Sequence, residues 1–478
     1  MTIRLARVLA LALPLCAGGA ALCQPSRPAP AAHATPSLPP PSTDPLKIDF
    51  AADPVLRLAH GQTDPALFRA LIGGAVERHP ATQEAAAATE EARYVVDEAN
   101  ERRLPSLDMT VSSYKVIDRA FSNDPDNVIE RSRPYQRTDA TLTVQQTIFD
   151  FGAGADRVLA AGARLRAAAA DAEANADQVA LSSIAAWYDV FAYRSLVALT
   201  EAFVKNQEEL RAAVEERIRQ GVSAPGDTAR VDSYLASAET RLALFRRQEA
   251  NAEARFTELT GAPPLPGLER APVADMPNLS RDAASLAAMS APQARAAQAM
   301  ADSARQEAKA TKADRFPQIA VGIDAGRYGV FENATDYDIR GRITMRQRLF
   351  GGTEARLAQA QARARSADAR ATRVRDEAAR DASIAWSDVE ALEEQLRAME
   401  ASYIASRRSR DVLVERFINA RGNLFDVVAA EDSYFETATS YIRALSELDA
   451  ARYVLLSKTG RLLGELGIDP RKIGGRRD

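Results

Sequence analysis

The chain has 478 residues, with 61 Lys+Arg against 65 Asp+Glu, a formal net charge of -4 and a pI of about 5.8. That balance offers nothing to attract nucleic acid. Three histidines (His33, His60, His79) and two cysteines (Cys16, Cys23) leave almost nothing for metal or nucleophile chemistry. No phosphate-loop, zinc-protease, redox-pair or nucleophile-elbow pattern occurs, so the sequence points to no enzyme and no cofactor. Hydrophobic residues reach 46% while aromatics are only 6%, and alanine makes up the difference, which favours close-packed helices over a thick mixed core.

Residues 1–23 open with Arg4 and Arg7, run through the apolar stretch 8–15 and end among small residues, the layout of a signal peptide. Cleavage after Cys23 is expected, since lipidation at that cysteine, the alternative, wants a small residue where Leu22 stands. Removing Arg4 and Arg7 takes the net charge from -4 to -6 and leaves a chain without cysteine, which no disulfide can staple. Residues 24–63 are rich in Pro and Ala and read as a flexible or polyproline-like periplasmic lead. The folded body is expected from Asp64, which caps a helix entered through Pro65.

The rest is a duplication. Trp187 and Trp386 are 199 apart, as are Asp227 and Asp426, and Thr260-Gly261 and Thr459-Gly460. Upstream the offset grows to 201 between Phe149 and Phe350 and to 212 between Pro105 and Pro317, so the halves differ in length between these points. Repeat 1 is placed at 64–265 and repeat 2 at 291–465, with a linker at 266–290 and a tail at 466–478. In each, a helix lies between two prolines 25 residues apart (Pro80 and Pro105, Pro292 and Pro317). Period-two alternation then predicts strands at about 107–117 and 138–149, and again at 318–330 and 337–350. Segments free of proline predict long helices over 150–219 and 353–419, and returning helices over 227–260 and 426–460 capped by Asp227 and Asp426. Trp187 and Trp386 fall mid-helix as packing residues, and His79 is expected at a solvent-facing helix end.

Four bilayer-length strands cannot close a barrel, and open edges are not tolerated in lipid, so oligomerisation is required. Three chains give twelve strands, and an even count behind a signal peptide fits a Gram-negative outer membrane. On the last strand Tyr337, Ile339, Ile343, Met345 and Leu349 share the face that suits lipid, which places Arg340, Arg342, Arg346 and Arg348 toward a lumen, the alternative being that some of them sit above the membrane and face lipopolysaccharide phosphates. Tripled, these would make twelve positive charges, offset only partly by Asp108, Asp324 and Asp338, and would favour an acidic protein passenger. Tyr114, Phe121, Tyr135, Tyr328, Phe331 and Tyr337 near the strand ends read as interfacial aromatics or as loop residues.

This combination resembles the TolC family of outer-membrane channels over about residues 64–465. The segments carrying it are Gln146-Thr147-Ile148-Phe149-Asp150-Phe151-Gly152, its counterpart Gln347-Arg348-Leu349-Phe350-Gly351-Gly352, and the turn from Arg416-Phe417 to Asp426-Val427. The resemblance implies a mainly α protomer with β, whose long antiparallel helices form a periplasmic α-barrel and whose four strands enter a twelve-stranded trimeric barrel in the outer membrane. It implies a homotrimer in outer-membrane lipid, working with a periplasmic adaptor (a membrane fusion protein) and an inner-membrane ABC or RND transporter. The stretches 415–431 and 455–463 look most like the branch serving type I secretion, with a multidrug or RND-type efflux channel as the alternative. By the same resemblance Asp227 and Asp426 ring the periplasmic aperture, and Gly221, Val222, Ser223, Ala224, Arg421, Gly422 and Asn423 form the tips that dock the adaptor. Two departures stand out: Ala420 replaces the family's glycine, and Gly422 occupies the family's basic latch position. A periplasmic adaptor or a coiled-coil adhesin would also use long charged helices, but neither carries two strand pairs between duplicated helices.

Overall fold

A computed structural model describes residues 37–42, 44–45, 47–121, 126, 128–274, 279–332, 336–419 and 421–469. The expected signal peptide, the first part of the lead, the end of the tail and Ala420 lie outside the described residues. The first half runs α1 (Pro65–Arg78), α2 (Pro80–Glu101), β1 (Ser106–Lys115), α3 (Val128–Arg131), β2 (Gln136–Phe149), α4 (Ala153–Arg219) and α5 (Gly226–Thr260). The second runs α6 (Arg281–Ala288), α7 (Pro292–Ala313), β3 (Gln318–Tyr328), β4 (Tyr337–Arg346), α8 (Thr353–Ile418), α9 (Leu424–Lys458) and the short α10 (Leu462–Glu465).

The duplication holds at the level of the backbone. α2 and α7 have 22 residues each and both start at a proline, whose missing N–H is one that a first turn leaves unpaired anyway. α4 and α8 have 67 and 66 residues, about 100 Å at 1.5 Å per residue, and α5 and α9 have 35 each. Gly152 (φ 90°) and Gly352 (φ 81°) turn the chain from strand into long helix, a left-handed conformation that a Cβ would strain. In the first repeat the Asp150 carboxylate completes that turn by accepting from the N–H groups of Gly152 (3.0 Å) and Gly154 (2.6 Å). Phe151, the one non-glycine with positive φ among the described residues, is held by Phe149 and by a stack on Phe316 with centroids 4.9 Å apart.

α4 and α5 form one antiparallel hairpin and α8 and α9 the other. Contacts of α4 with α9 join the two, while α7 packs on both α4 and α8. Alanine fills much of the buried surface of these helices, with Ala160, Ala163, Ala167 and Ala170 buried on α4 and Ala294, Ala299 and Ala301 on α7. Four apolar clusters follow the helices, one of them around Trp187, Phe68 and Phe256 and another at the turns, around Val214, Val231, Phe417 and Val427. No described helix is long and apolar enough to cross a membrane.

Several sequence boundaries need correction. The strand expected over 337–350 ends at Arg346, so Arg348 lies beyond it, and that of 318–330 ends at Tyr328. The linker 266–290 contains α6, capped by the Ser280 hydroxyl accepting from Ala283 N–H at 3.2 Å. Residues 37–63 are not a solvated lead. Leu38, Val55 and Leu56 are buried in a cluster with Phe203, Phe245, Tyr403, Tyr434 and Tyr441, and the Asp53 carboxylate accepts from the Tyr403 hydroxyl and pairs with Arg407. The tail also packs where it is described, with Leu466 in the cluster of Trp187.

Candidate functional site

The four strands form one antiparallel sheet in the order β1-β2-β3-β4, so the two repeats meet at the β2–β3 pair. The strands have 10, 14, 11 and 10 residues, about what a tilted strand needs to cross a bilayer. The register separates two faces. One carries rows such as Leu107–Val144–Ile323 and Met109–Leu142–Ala325–Ile339, followed by Val321–Ile343 and Ile319–Met345. Most of these side chains are exposed, Met109 and Ile343 to more than two thirds, although such residues are normally interior; Val144, Ile319 and Ala325 are half-buried. The other face carries Asp108–Thr143–Asp324–Arg340, Ser112–Asp139–Tyr328 and Gln318–Arg346. An exposed apolar face and a polar one on a single sheet suit lipid on one side and water on the other.

Arg340, Arg342 and Arg346 all lie on the polar face. The charges of Arg340 and Arg342 do not stand alone: one takes a carboxylate two residues away on its own strand and the other a carboxylate that register brings from β3. Arg340 pairs with Asp338 at 2.7 Å, Arg342 with Asp324 at 3.7 Å, and Arg137 with Asp139 at 2.6 Å. The strands of this face hold four arginines (137, 340, 342, 346) and four aspartates (108, 139, 324, 338), against the four arginines and three aspartates expected, because Arg348 lies beyond β4 while Arg137 and Asp139 join the face. Tyr114 and Tyr328 fall on the polar face, with the Arg137 guanidinium 4.9 Å from the Tyr328 ring, and Tyr337 falls on the apolar one.

The second region is the pair of hairpin turns. Each long helix ends in the same hydrogen-bond pattern, Val222 N–H to Arg217 C=O and Arg421 N–H to Arg416 C=O, both 2.9 Å. Neither expected aspartate is the cap of its returning helix. α5 begins at Gly226 with Pro225 at the cap, and Asp227 reaches back from the first turn to accept from Ala224 N–H at 3.2 Å. α9 is capped by Asn423, whose side chain accepts from Asp426 N–H at 2.9 Å, which leaves the Asp426 carboxylate in the exposed first turn. Gly221, Val222 and Ala224 are exposed and Ser223 half-buried on one turn, with Arg421 and Asn423 exposed and Gly422 half-buried on the other. A Cβ at Gly422 would come within 3.2 Å of the Phe417 backbone, so the turn that places a basic residue there in the family is too tight here for any side chain without movement.

Arg217 organises these turns, and sequence reasoning missed it. Its guanidinium lies 4.2 Å from the Phe417 ring centroid and donates to Phe417 C=O at 2.6 Å and to the Ser223 hydroxyl at 3.2 Å, tying one hairpin to the other. A cation in the last turn of a helix was the available signal.

The family model described as outer membrane efflux protein (OEP) matches residues 71–262, which is nearly the whole of the first repeat. Outer membrane efflux protein BepC of Brucella suis biovar 1 (strain 1330) is 23% identical over 337 residues, 69% of this chain and 74% of BepC. The fold is that of VceC from Vibrio cholerae (TM-score 0.72, 19% identity, 83% of this chain and 96% of that one). It is also that of the CmeC outer membrane channel of Campylobacter jejuni (TM-score 0.73, 14% identity, 85% of this chain and 88% of that one). With the duplicated hairpins, the two-faced sheet and the matched first repeat together, the chain is similar to the outer membrane efflux proteins over its first repeat and has the fold of the solved TolC-like outer-membrane channels.

Proposed function

We propose that three copies of this chain form the outer-membrane channel of a tripartite export system, the polar sheet faces lining a common lumen. The observation that carries this is the sheet itself. β1 pairs only with β2 and β4 only with β3, so each described sheet has two edges whose backbone groups need partners in hydrocarbon. Copies joined edge to edge satisfy both, and three give twelve strands. The mass of the detergent-solubilised particle, with detergent subtracted, is expected to be three times that of the chain. A monomer or dimer would refute the closure argument.

In this reading the paired turns face the periplasm and dock the adaptor through Gly221, Val222, Ser223, Ala224, Arg421, Gly422 and Asn423, while Asp227 and Asp426 contribute to a ring of carboxylates. Support comes from exposed residues on turns already braced by Arg217, which leaves their outer side chains free. Cysteines at Ser223 and Asn423 are expected to cross-link in cells to a periplasmic adaptor, and the transporter recovered with it identifies the system. An ABC transporter supports type I secretion, the reading favoured by the stretches 415–431 and 455–463. An RND transporter supports multidrug efflux, the alternative. Cross-links to no inner-membrane component would remove the docking assignment. The ring reading requires that Asp227→Ala with Asp426→Ala weaken block of the channel by polyvalent cations. Equal block in the variant and the parent excludes it.

A further inference from the structure

The balance of charge on the polar face fails at one place, its base, where the sheet meets the helices. Here a cleft of about 320 Å³ is lined by Arg157 of α4, Asp314 and Arg315 after α7, Arg346 at the end of β4, Arg348 just beyond it, and Arg356 of α8. Gln318, whose register partner is Arg346, opens the cleft onto the polar face. Five arginines thus surround one carboxylate in the lining, with Glu354 beside it. The two acids are already committed. Asp314 takes Arg157 at 2.5 Å and Glu354 takes Arg315. Arg346, Arg348 and Arg356 have no carboxylate within ion-pair distance among the described residues.

Three exposed guanidinium groups lining one cleft from a strand, a turn and a helix give it a positive potential that attracts an anion. Surface arginines ordinarily avoid this by taking acids at helical spacing, as Arg373 does with Glu377 at 2.8 Å on the same α8. We propose that Arg346, Arg348 and Arg356 form a binding site for a multiply charged anionic group, a phosphate or clustered carboxylates, at the base of the polar face. Guanidinium forks match such groups two bonds at a time, and a single chloride does not use them. The assignment of the polar face to the lumen rests on the channel reading above. The basic cleft itself does not depend on it.

The test is calorimetric titration of inorganic pyrophosphate into the detergent-solubilised full-length protein. Saturable binding is expected, weakened about tenfold or more by each of Arg346→Gln, Arg348→Gln and Arg356→Gln, since each removes charge-assisted hydrogen bonds. Arg137→Gln, whose guanidinium is paired with Asp139 on the same face, is expected to leave binding unchanged. No saturable binding, or equal loss in all four variants, overturns the proposal. Circular dichroism of each single variant establishes that it is folded, and the three singles stand independently, so one misfolded variant leaves two that decide. Planar-bilayer recordings then separate the sources of the anion. Pyrophosphate block that persists when phosphatidylglycerol is present assigns the site to molecules in transit, and block seen only in phosphatidylcholine assigns it to a lipid headgroup. A protein that binds pyrophosphate but conducts nothing would refute the channel reading and keep the site.

Discussion

Replacing Asp53 by alanine is expected to detach residues 37–59 from the helices and to lower the thermal unfolding midpoint strongly. Asp53 is 1% exposed, and its carboxylate accepts from the Tyr403 hydroxyl at 2.9 Å and from the N–H groups of Val55 (2.8 Å) and Leu56 (3.2 Å), besides pairing with Arg407. Truncation leaves a guanidinium, a phenol and two backbone donors buried without that acceptor. Breaking a buried pair in this way costs about 3–5 kcal/mol. Near it, Arg410 is fully buried, donates to Pro39 C=O at 2.8 Å, and faces Asp411 at 2.7 Å and Glu431 at 3.3 Å. The group thus holds two arginines and three carboxylates, one carboxylate too many. Asp53 takes Arg407, which leaves Asp411 and Glu431 to share Arg410; Glu431 accepts one hydrogen bond from it at 3.3 Å and is left with an Oε2 without a hydrogen-bond partner, as are both oxygens of Asp411. Burial raises the Glu431 pKa above the ordinary glutamate value, against the opposing pull of Arg410. A carboxyl with a raised folded-state pKa binds protons more tightly when folded, so its contribution to stability falls as pH rises above the unfolded glutamate value. Glu431→Gln is therefore expected to be neutral or stabilising at pH 7 and to flatten that dependence, the opposite of Asp53→Ala. Limited proteolysis with mass analysis, alongside melting curves, reads both. If Asp53→Ala keeps 37–59 protected and melts with the parent, the pair does not hold the segment.

That segment also shows where sequence reading reached its limit. The long helices were legible because a run of about seventy residues lacks proline and has glycine only near its start, and the strands because alternation persists for ten residues. Both signals are local. Residues 37–59 pack through Leu38, Val55, Leu56 and Asp53, four positions scattered through a proline-rich stretch, against partners some 350 residues away such as Tyr403 and Arg407. Composition averaged over the stretch hides them, and no spacing rule links Asp53 to Arg407. The sheet failed in the same way at a smaller scale. Each strand showed its own face correctly, but the pairing of Arg342 with Asp324 depends on register, which one strand does not contain. At the turns, Asp227 and Asp426 drew the cap assignment because aspartate is a good cap, whereas Asn423 is equally good and stands three residues nearer the preceding helix. Gly422 was legible as a departure, and its reason, the approach to the Phe417 backbone, was not.

The two tryptophans, 199 residues apart in sequence and equivalent by the duplication, are expected to differ sharply when removed. Trp187 is 0% exposed, stands edge-on to Phe68 with centroids 5.2 Å apart, touches Phe256 at 6.0 Å, and donates its indole N–H to Glu269 C=O at 2.9 Å. Trp386 keeps the same kind of bond, to Leu279 C=O at 2.6 Å, but it is only partly buried and packs beside small residues such as Ala382 and Ala385. The feature the pair shares is thus the indole bond that anchors each end of the chain joining the repeats, and the ring packing is peculiar to the first. Trp187→Ala removes a large buried ring that aromatic neighbours cannot refill, and about 3–5 kcal/mol is the usual loss. Trp187→Phe keeps part of the ring contacts, leaves Glu269 C=O without that donor, and is expected to cost about 1–3 kcal/mol. Trp386→Ala should cost distinctly less than Trp187→Ala, because part of its surface is already in contact with solvent in the single chain. Melting curves of the three variants decide the order. Equal losses for the two alanine variants would show that Trp386 is as deeply packed as Trp187 in the assembled protein, and the asymmetry of the repeats would then belong to the isolated chain alone.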